Sequence, residues 1–112
     1  MAEDHLRGLL ERHVELFNEA VRTGDYAAYL ATFADDAVVR FPELPVGPFH
    51  GKGAIAEAYA SRPPSDTIAL IDMEKIGLDA VKASFEWDAG GTGQMYLRWL
   101  DGRLTQLDIS LT

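Results

Sequence analysis

The segment from Gly24 to Val39 constrains the fold more than any other part of the chain, because it joins two predicted helices and a strand with almost no linker. Gly24 suits the left-handed residue that closes a first helix, and Asp25 can cap the next one. Asp35 and Asp36 are expected to end that second helix before a β-branched run begins. The segment therefore predicts two closely connected helices followed by a strand.

Apolar residues recur at helical spacing around this segment. A first helix of about five turns is predicted from Leu6, Leu9, Leu10, His13, Phe17, Ala20 and Val21. The second helix is predicted from Tyr26, Tyr29, Leu30 and Phe33, and a short strand over residues 37–41 follows it. Residues 42–49 hold three of the five prolines and should form a loop, and a third helix is predicted over residues 53–61.

The periodicity changes to two after residue 67, which is typical of strands with one buried face. Candidate strands cover residues 67–76, 80–88, 92–100 and 103–111, with short connections. Asp101-Gly102 is a strong hairpin signal. These elements predict a single α+β domain over residues 1–112, with three N-terminal helices packed on a curved, mostly antiparallel β-sheet.

Composition limits the function classes. The chain has 112 residues and a formal net charge of −8, which argues against binding to nucleic acid or to an anionic membrane surface. It has no cysteine, so disulfides and thiolate metal sites are excluded. Charges interrupt the first twenty residues, which argues against a secretory signal or a membrane span, and a cytoplasmic location is expected. We expect no cofactor and no metal site, because the three histidines lack the spacing of a metal motif.

Two stretches resemble the NTF2-like superfamily, in particular its SnoaL-like and ketosteroid-isomerase-like branches. They are residues 24–42, which include Phe33-Ala34-Asp35-Asp36-Ala37-Val38-Val39, and His50-Gly51-Lys52-Gly53-Ala54-Ile55. The resemblance implies a cone-shaped fold with an apolar cavity at its wide end, and pairing of two copies through the outer face of the sheet. Such proteins include isomerases, cyclases, dehydratases, epoxide hydrolases and non-catalytic binding modules, so the resemblance selects no reaction.

The residues of the ketosteroid isomerase mechanism are absent at the matching positions. That mechanism needs a carboxylate base, and a tyrosine with a protonated aspartate that stabilises the enolate oxygen. This chain has Phe17 where the tyrosine would lie and Phe41 where the base would lie. The third position falls on Tyr96 or Arg98, and neither is an aspartate. Steroid isomerisation by that mechanism is therefore not expected.

By the same matching, strand alternation predicts an apolar lining for the cavity. The expected ligand-binding residues are Phe17, Val21, Phe41, Tyr59, Val81, Ala83, Phe85, Trp87, Leu107, Ile109 and Leu111. Such a lining suits a small hydrophobic ligand. The alternative is that the same side chains fill a closed core.

Side chains of opposite character alternate along the strand over residues 92–100. The face matched to the cavity carries Gln94, Tyr96 and Arg98, and the outward face carries Met95, Leu97 and Trp99. An apolar patch on the outer face would be costly for a monomer, so a homodimer through that face is expected. Arg98 is expected to hold a carboxylate or carbonyl, unless it lies at the strand end and reaches solvent.

Histidine supplies further acid–base groups, because it titrates near neutrality. His13 lies on the apolar stripe and is either a group that enters the cavity or a buried structural residue. The resemblance places His50 near the cavity mouth. The catalytic candidates are therefore His13, His50, Tyr96 and Arg98. The leading hypothesis is binding of a small hydrophobic molecule, with acid–base chemistry of the isomerase, cyclase or dehydratase type, and the alternative is a non-catalytic dimeric module for binding or assembly.

Overall fold

The computed structural model describes residues 2–111, and the side chains of residues 4–110. Within that range the chain forms three helices, α1 (Ala2–Thr23), α2 (Ala27–Leu30) and α3 (Lys52–Ser61). Its strands are β1 (Phe33–Arg40), β2 (Phe49–His50), β3 (Ile68–Lys75), β4 (Ala80–Trp87), β5 (Thr92–Leu100) and β6 (Arg103–Leu111). This order of elements confirms the α+β prediction.

The connection between α1 and α2 has the local chemistry that its sequence predicts. Gly24 has a φ of 79°, and its amide donates a hydrogen bond of 2.7 Å to the carbonyl of Ala20. The Asp25 carboxylate accepts a hydrogen bond of 2.9 Å from the amide of Ala27, in the first turn of α2. The glycine closes one helix and the aspartate stabilises the start of the next.

β1 begins earlier than predicted. Asp35 and Asp36 lie inside the strand with exposed side chains, and they do not end a helix. Phe33, which the sequence pattern assigns to the second helix, starts the strand and pairs with Leu104 of β6. Pairing with a distant strand decided this boundary, because the Phe33 ring is fully buried there.

The six strands form one sheet in the order β2-β1-β6-β5-β4-β3. Neighbouring strands run antiparallel except for β1 and β6, which run parallel. The predicted meander of the last four strands is therefore confirmed. The parallel pair brings the C-terminal ends of β1 and β6 to one end of the sheet and the β5–β6 hairpin to the other.

The helices cover the inner face of this sheet, and the core lies between them. The Asn18 side chain connects α1 to the edge strand β3 by two hydrogen bonds. Its Nδ2 donates to the carbonyl of Ile68 (2.8 Å), and its Oδ1 accepts from the backbone amide of Ile68 (2.9 Å). Fully buried side chains of the interior come from every layer: Leu10, Tyr29, Phe33, Ile55, Phe85, Leu97 and Leu107.

The orientation predicted for β5 is wrong. Met95, Leu97 and Trp99 are buried in the core, with exposed fractions of 3%, 0% and 5%. Residues directly opposite each other in antiparallel strands share a face, and Met95 lies opposite the inward-facing Ala83. A shift of one residue in matching the strand reverses every side chain.

The outer face of β5 consequently carries Gln94, Tyr96 and Arg98, which the sequence analysis placed in the cavity. Arg98 is exposed and lies 3.8 Å from the carboxylate of Asp79. The apolar outer patch expected to join two copies is therefore absent from β5, and homodimerisation itself stays a prediction.

Candidate functional site

Two pockets lie at opposite ends of β1. The first, which we call the α3 pocket, is formed by the end of β1, the following proline-containing loop and α3. The second, the hairpin pocket, is formed by α1, the α2–β1 connection and the β5–β6 hairpin. They have no lining residue in common. The two sites can therefore be considered separately.

The α3 pocket has a volume of about 750 Å³, which suits a small organic molecule. Its apolar lining includes Val39, Phe41, Val46, Phe49, Ile55 and Ala58. Phe41 and Phe49 meet edge to face, with ring centroids 6.2 Å apart. Glu57 and Arg62 are exposed residues that also line the pocket. This arrangement offers a mostly apolar surface with charges only on exposed residues.

Tyr59 lines the α3 pocket and carries a hydroxyl that is hydrogen-bonded in the buried interior. Its oxygen lies 2.8 Å from the hydroxyl oxygen of Tyr29, a hydrogen bond in which either group can donate. Burial raises the pKa of Tyr59 to about 12 and holds the pKa of Tyr29 well above 10. Both phenols are therefore protonated at neutral pH. When Tyr29 donates to Tyr59, the proton of Tyr59 is left for another acceptor.

A third tyrosine packs against this pair. The ring of Tyr26 stacks on that of Tyr59, with centroids 5.2 Å apart and an angle of 26° between the planes. The hydroxyl of Tyr26 is buried and has no hydrogen-bond partner. The stacked ring restricts the orientation of Tyr59.

The hairpin pocket is smaller, at about 380 Å³. His13 lines it and is 5% exposed, and its Nδ1 atom is buried with no hydrogen-bond partner. Burial lowers the pKa of His13 from 6.5 to about 4, so the imidazole is neutral at neutral pH. On the core side its ring packs against Tyr29, with centroids 5.2 Å apart.

Residues 14–107, most of the chain, match the SnoaL-like domain family. The chain belongs to this family. No curated protein matches the sequence.

Solved structures share the fold of this SnoaL-like domain at low sequence identity. A candidate ketosteroid isomerase from Kribbella flavida DSM 17836 has a TM-score of 0.78 and 15% identity, over 97% of this chain and 78% of its own. The epoxide hydrolase/cyclase-like enzyme SalBIII has a TM-score of 0.78 and 13% identity, over 100% of this chain and 95% of its own. An NTF2-like protein of unknown function from Burkholderia xenovorans LB400 has a TM-score of 0.75 and 16% identity, over 100% of this chain and 86% of its own. These similarities show the NTF2-like cone fold.

Most of the expected cavity lining forms a packed core in this SnoaL-like domain. Phe41 and Tyr59 line the α3 pocket as expected. The buried core includes five of the expected lining residues: Phe17, Val81, Ala83, Phe85 and Leu107. Three others are half-buried and pack against that core: Val21, Trp87 and Ile109. The Leu111 side chain lies outside the described residues. Val81 and Leu107 have no exposed surface, so they contact packed atoms and leave no space for a ligand.

Gly93 shows how tightly the sheet is covered near the start of β5. A Cβ atom built there would lie 2.5 Å from Cζ of Phe85 and 2.8 Å from the carbonyl oxygen of Ser110. The Phe85 ring thus occupies the space over the glycine. For this part of the interior, the alternative of a closed core describes the structure.

The four catalytic candidates do not come together. His13 lines the hairpin pocket, and His50 is an exposed residue of β2 that pairs with Val38. Tyr96 and Arg98 lie on the outer face of the sheet, because their strand is oriented opposite to the prediction. None of the four lines the α3 pocket.

Sequence analysis missed the buried pair of tyrosine hydroxyls. Tyr26 and Tyr29 were assigned to an apolar stripe, and Tyr59 to the cavity lining for its ring alone. Three tyrosines on the apolar faces of two short helices were the available signal, because a buried tyrosine hydroxyl usually finds a partner. The pairing of Tyr29 with Tyr59 depends on the packing of α2 against α3, which spacing does not reveal.

Two further observations limit the chemistry of the described part of the chain. No helix there is long and apolar enough to cross a membrane. Among the side chains of residues 4–110, no group of three or more histidine, aspartate or glutamate residues could hold a metal ion.

Proposed function

We propose that this SnoaL-like domain binds a small apolar molecule carrying a carbonyl or hydroxyl oxygen in the α3 pocket. The observation that carries the proposal is an apolar pocket of about 750 Å³ whose lining includes Tyr59, a residue with a buried, hydrogen-bonded hydroxyl. Apolar surface provides affinity, and a few placed polar groups provide orientation.

The apolar lining supports an apolar ligand. Phe41, Val46 and Phe49 come from β1, the proline-containing loop and β2, and Ile55 and Ala58 come from α3. Each square ångström of apolar surface removed from water contributes about 25 cal/mol. A ligand that covers these side chains therefore gains affinity without any charged contact.

The tyrosine pair supports an oxygen function on that ligand. With its pKa raised to about 12, Tyr59 remains a neutral donor at physiological pH. Tyr29 can donate to the Tyr59 oxygen while Tyr59 donates to the ligand. Each donor in this chain polarises the next, which favours a carbonyl oxygen as the acceptor.

The proposal is one of binding without a specified reaction. An isomerase or cyclase needs an acid and a base beside the substrate, and the four predicted candidates lie elsewhere. The non-catalytic binding role, which was the alternative from sequence, therefore has the stronger support.

Paired probes test the proposal. We expect 2-acetylnaphthalene to bind more tightly than 2-ethylnaphthalene, which lacks the carbonyl, in a titration followed by amide chemical shifts in NMR spectra. The Tyr59→Phe variant should reduce ketone affinity about tenfold, the effect of one hydrogen bond of about 1.4 kcal/mol, and leave the hydrocarbon unaffected. The matched control is Tyr96→Phe on the outer sheet face.

Filling the pocket provides a second test. Ala54 is an exposed residue of α3 that lines the pocket, and Ala60 is an exposed residue of the same helix that does not. Ala54→Trp should abolish binding of both naphthalenes, and Ala60→Trp should not. Equal binding by the two variants would refute the proposal, as would amide shifts confined to residues remote from α3.

A further inference from the structure

The hairpin pocket differs from the α3 pocket in its charges. Arg12 and Arg103 both line it, and both are exposed. Among the side chains of residues 4–110, the ion pairs within 4.0 Å involve Arg22, Arg40, Lys52 and Arg98. The two arginines of the hairpin pocket are therefore not neutralised by an acidic partner, although the chain carries a net charge of −8.

The lining includes one acidic residue, Asp101, so the pocket has a formal charge of about +1 from two cations and one anion at pH 7. A guanidinium presents paired donors that match the two oxygens of a carboxylate. Because Asp101 repels anions, a ligand with one negative charge fits this balance better than a dianion.

His13 is the buried polar group of the pocket. Its Nδ1 atom has no partner and no contact with solvent, and orphaned buried N–H groups are rarer in proteins than under-satisfied acceptors. This favours the neutral tautomer with its proton on Nε2. Nε2 is not among the buried unpartnered atoms of the described residues, so Nε2–H is the donor that we assign to a ligand in the pocket.

Trp99 and Leu9 give the pocket an apolar surface. Trp99 is 5% exposed, and Leu9 is half-buried. The volume of about 380 Å³ is near the lower end of the range for small-molecule sites. The bound molecule must therefore be small and partly apolar.

We propose that the hairpin pocket is a second binding site, which takes a small organic monocarboxylate with an apolar body. Arg12 and Arg103 bind the carboxylate, Nε2–H of His13 donates a hydrogen bond to one of its oxygens, and Trp99 and Leu9 contact the apolar body. This site is independent of the function proposed for the α3 pocket, because the two pockets have no residue in common.

Titration at low ionic strength, followed by the Gly102 amide signal in NMR spectra to separate this site from the α3 pocket, uses three probes: 3-phenylpropanoate, 3-phenylpropan-1-ol and inorganic phosphate. We expect the carboxylate to bind about tenfold more tightly than the alcohol or the phosphate, since hydrogen bonds between charged groups are stronger than those between neutral ones. The amide signal of Gly102 should shift in NMR spectra on binding, because Gly102 lines the pocket.

A matched pair of charge variants tests the assignment. The Arg12→Gln/Arg103→Gln variant should lose at least about tenfold in carboxylate affinity. The control is Arg7→Gln/Lys82→Gln, which removes the same charge from exposed positions outside both pockets. Equal losses in the two variants would show attraction by overall charge alone and would overturn the proposal. It would also be overturned by tight binding of phosphate, by undetectable binding of the carboxylate, or by shifts at α3 with none at Gly102.

Discussion

The α3 pocket and the hairpin pocket bury polar groups in two different ways. In the α3 pocket the Tyr59 hydroxyl is paired with that of Tyr29 at 2.8 Å, and both stay protonated. In the hairpin pocket the Nδ1 atom of His13 has no partner, and burial lowers the pKa of the ring to about 4. Tyr29 contacts both groups, through its hydroxyl on one side and its ring on the other. A hydrogen bond satisfies one buried group, and loss of charge makes burial of the other tolerable.

The largest effect should come from removing the Tyr29 ring, which lines neither pocket but contacts His13 of one and Tyr59 of the other. Tyr29 is 1% exposed and packs against Phe17, Phe33 and Tyr59 as well as His13. Tyr29→Ala should lower the free energy of unfolding by about 4 kcal/mol, because it leaves a large cavity. Urea denaturation measures the change. A loss no larger than that of Tyr96→Ala would contradict the tight packing of the Tyr29 ring.

Between pH 4 and 6.5, the hairpin pocket should contribute a pH dependence of stability through His13. The folded-state pKa of His13 is about 4 and its ordinary value is 6.5, so between these values the unfolded state binds more protons. The contribution of a neutral His13 is complete above pH 6.5 and is lost as the pH falls to 4, by about 3 kcal/mol. Denaturation at several pH values measures it. His13→Leu should reduce this slope, and the exposed-histidine variants His5→Gln and His50→Gln should keep it.

The closed core near the start of β5 can be compared with both pockets by adding one methyl group at Gly93. Gly93→Ala should lower stability by about 2 kcal/mol, since the new Cβ would meet the Phe85 ring and a backbone carbonyl. Gly8→Ala is the control, because that helical glycine has no atom within 4 Å, and it should raise stability by up to about 1 kcal/mol. Thermal unfolding of the two variants gives both values. A neutral Gly93→Ala would reveal an open cavity over the sheet.

The smallest effect should come from the α3 pocket. Tyr59→Phe leaves the Tyr29 hydroxyl buried without its partner and should cost about 1 kcal/mol. The double variant Tyr29→Phe/Tyr59→Phe should cost less than the two single changes added together, because it removes both hydroxyls. A double-mutant cycle in urea measures this coupling. Strict additivity would contradict the paired-hydroxyl description.

Local signals in the sequence were sufficient for most of the architecture. Gly24 and Asp25 mark the α1–α2 connection, and Asp101-Gly102 lies in the β5–β6 connection, because backbone conformation at these positions depends on a few adjacent residues. The start of β1 was misplaced because it depends on pairing with β6, 71 residues further on at Leu104. Long-range pairing is absent from local periodicity.

The functional sites were less accessible to sequence analysis. Phe41 and Tyr59 line a pocket, and their role in binding stays a prediction, whereas the inward face of β5 was assigned to Tyr96 and Arg98. Alternation along a strand gives two faces without saying which one is buried, and a shift of one residue exchanges them. The apolar character of Met95, Leu97 and Trp99 favoured the correct choice from the start.

The sequence by itself indicated the family, the α+β class, the first and third helices, the last hairpin and the mismatches with the ketosteroid isomerase mechanism, because all of these depend on residue type and short spacing. The tertiary structure decided which cavity is filled and which is open. It also decided that the Tyr29 and Tyr59 hydroxyls pair and that His13 is buried beside two arginines. These features depend on contacts between residues far apart in the chain, and packing sets those contacts to within a fraction of an ångström.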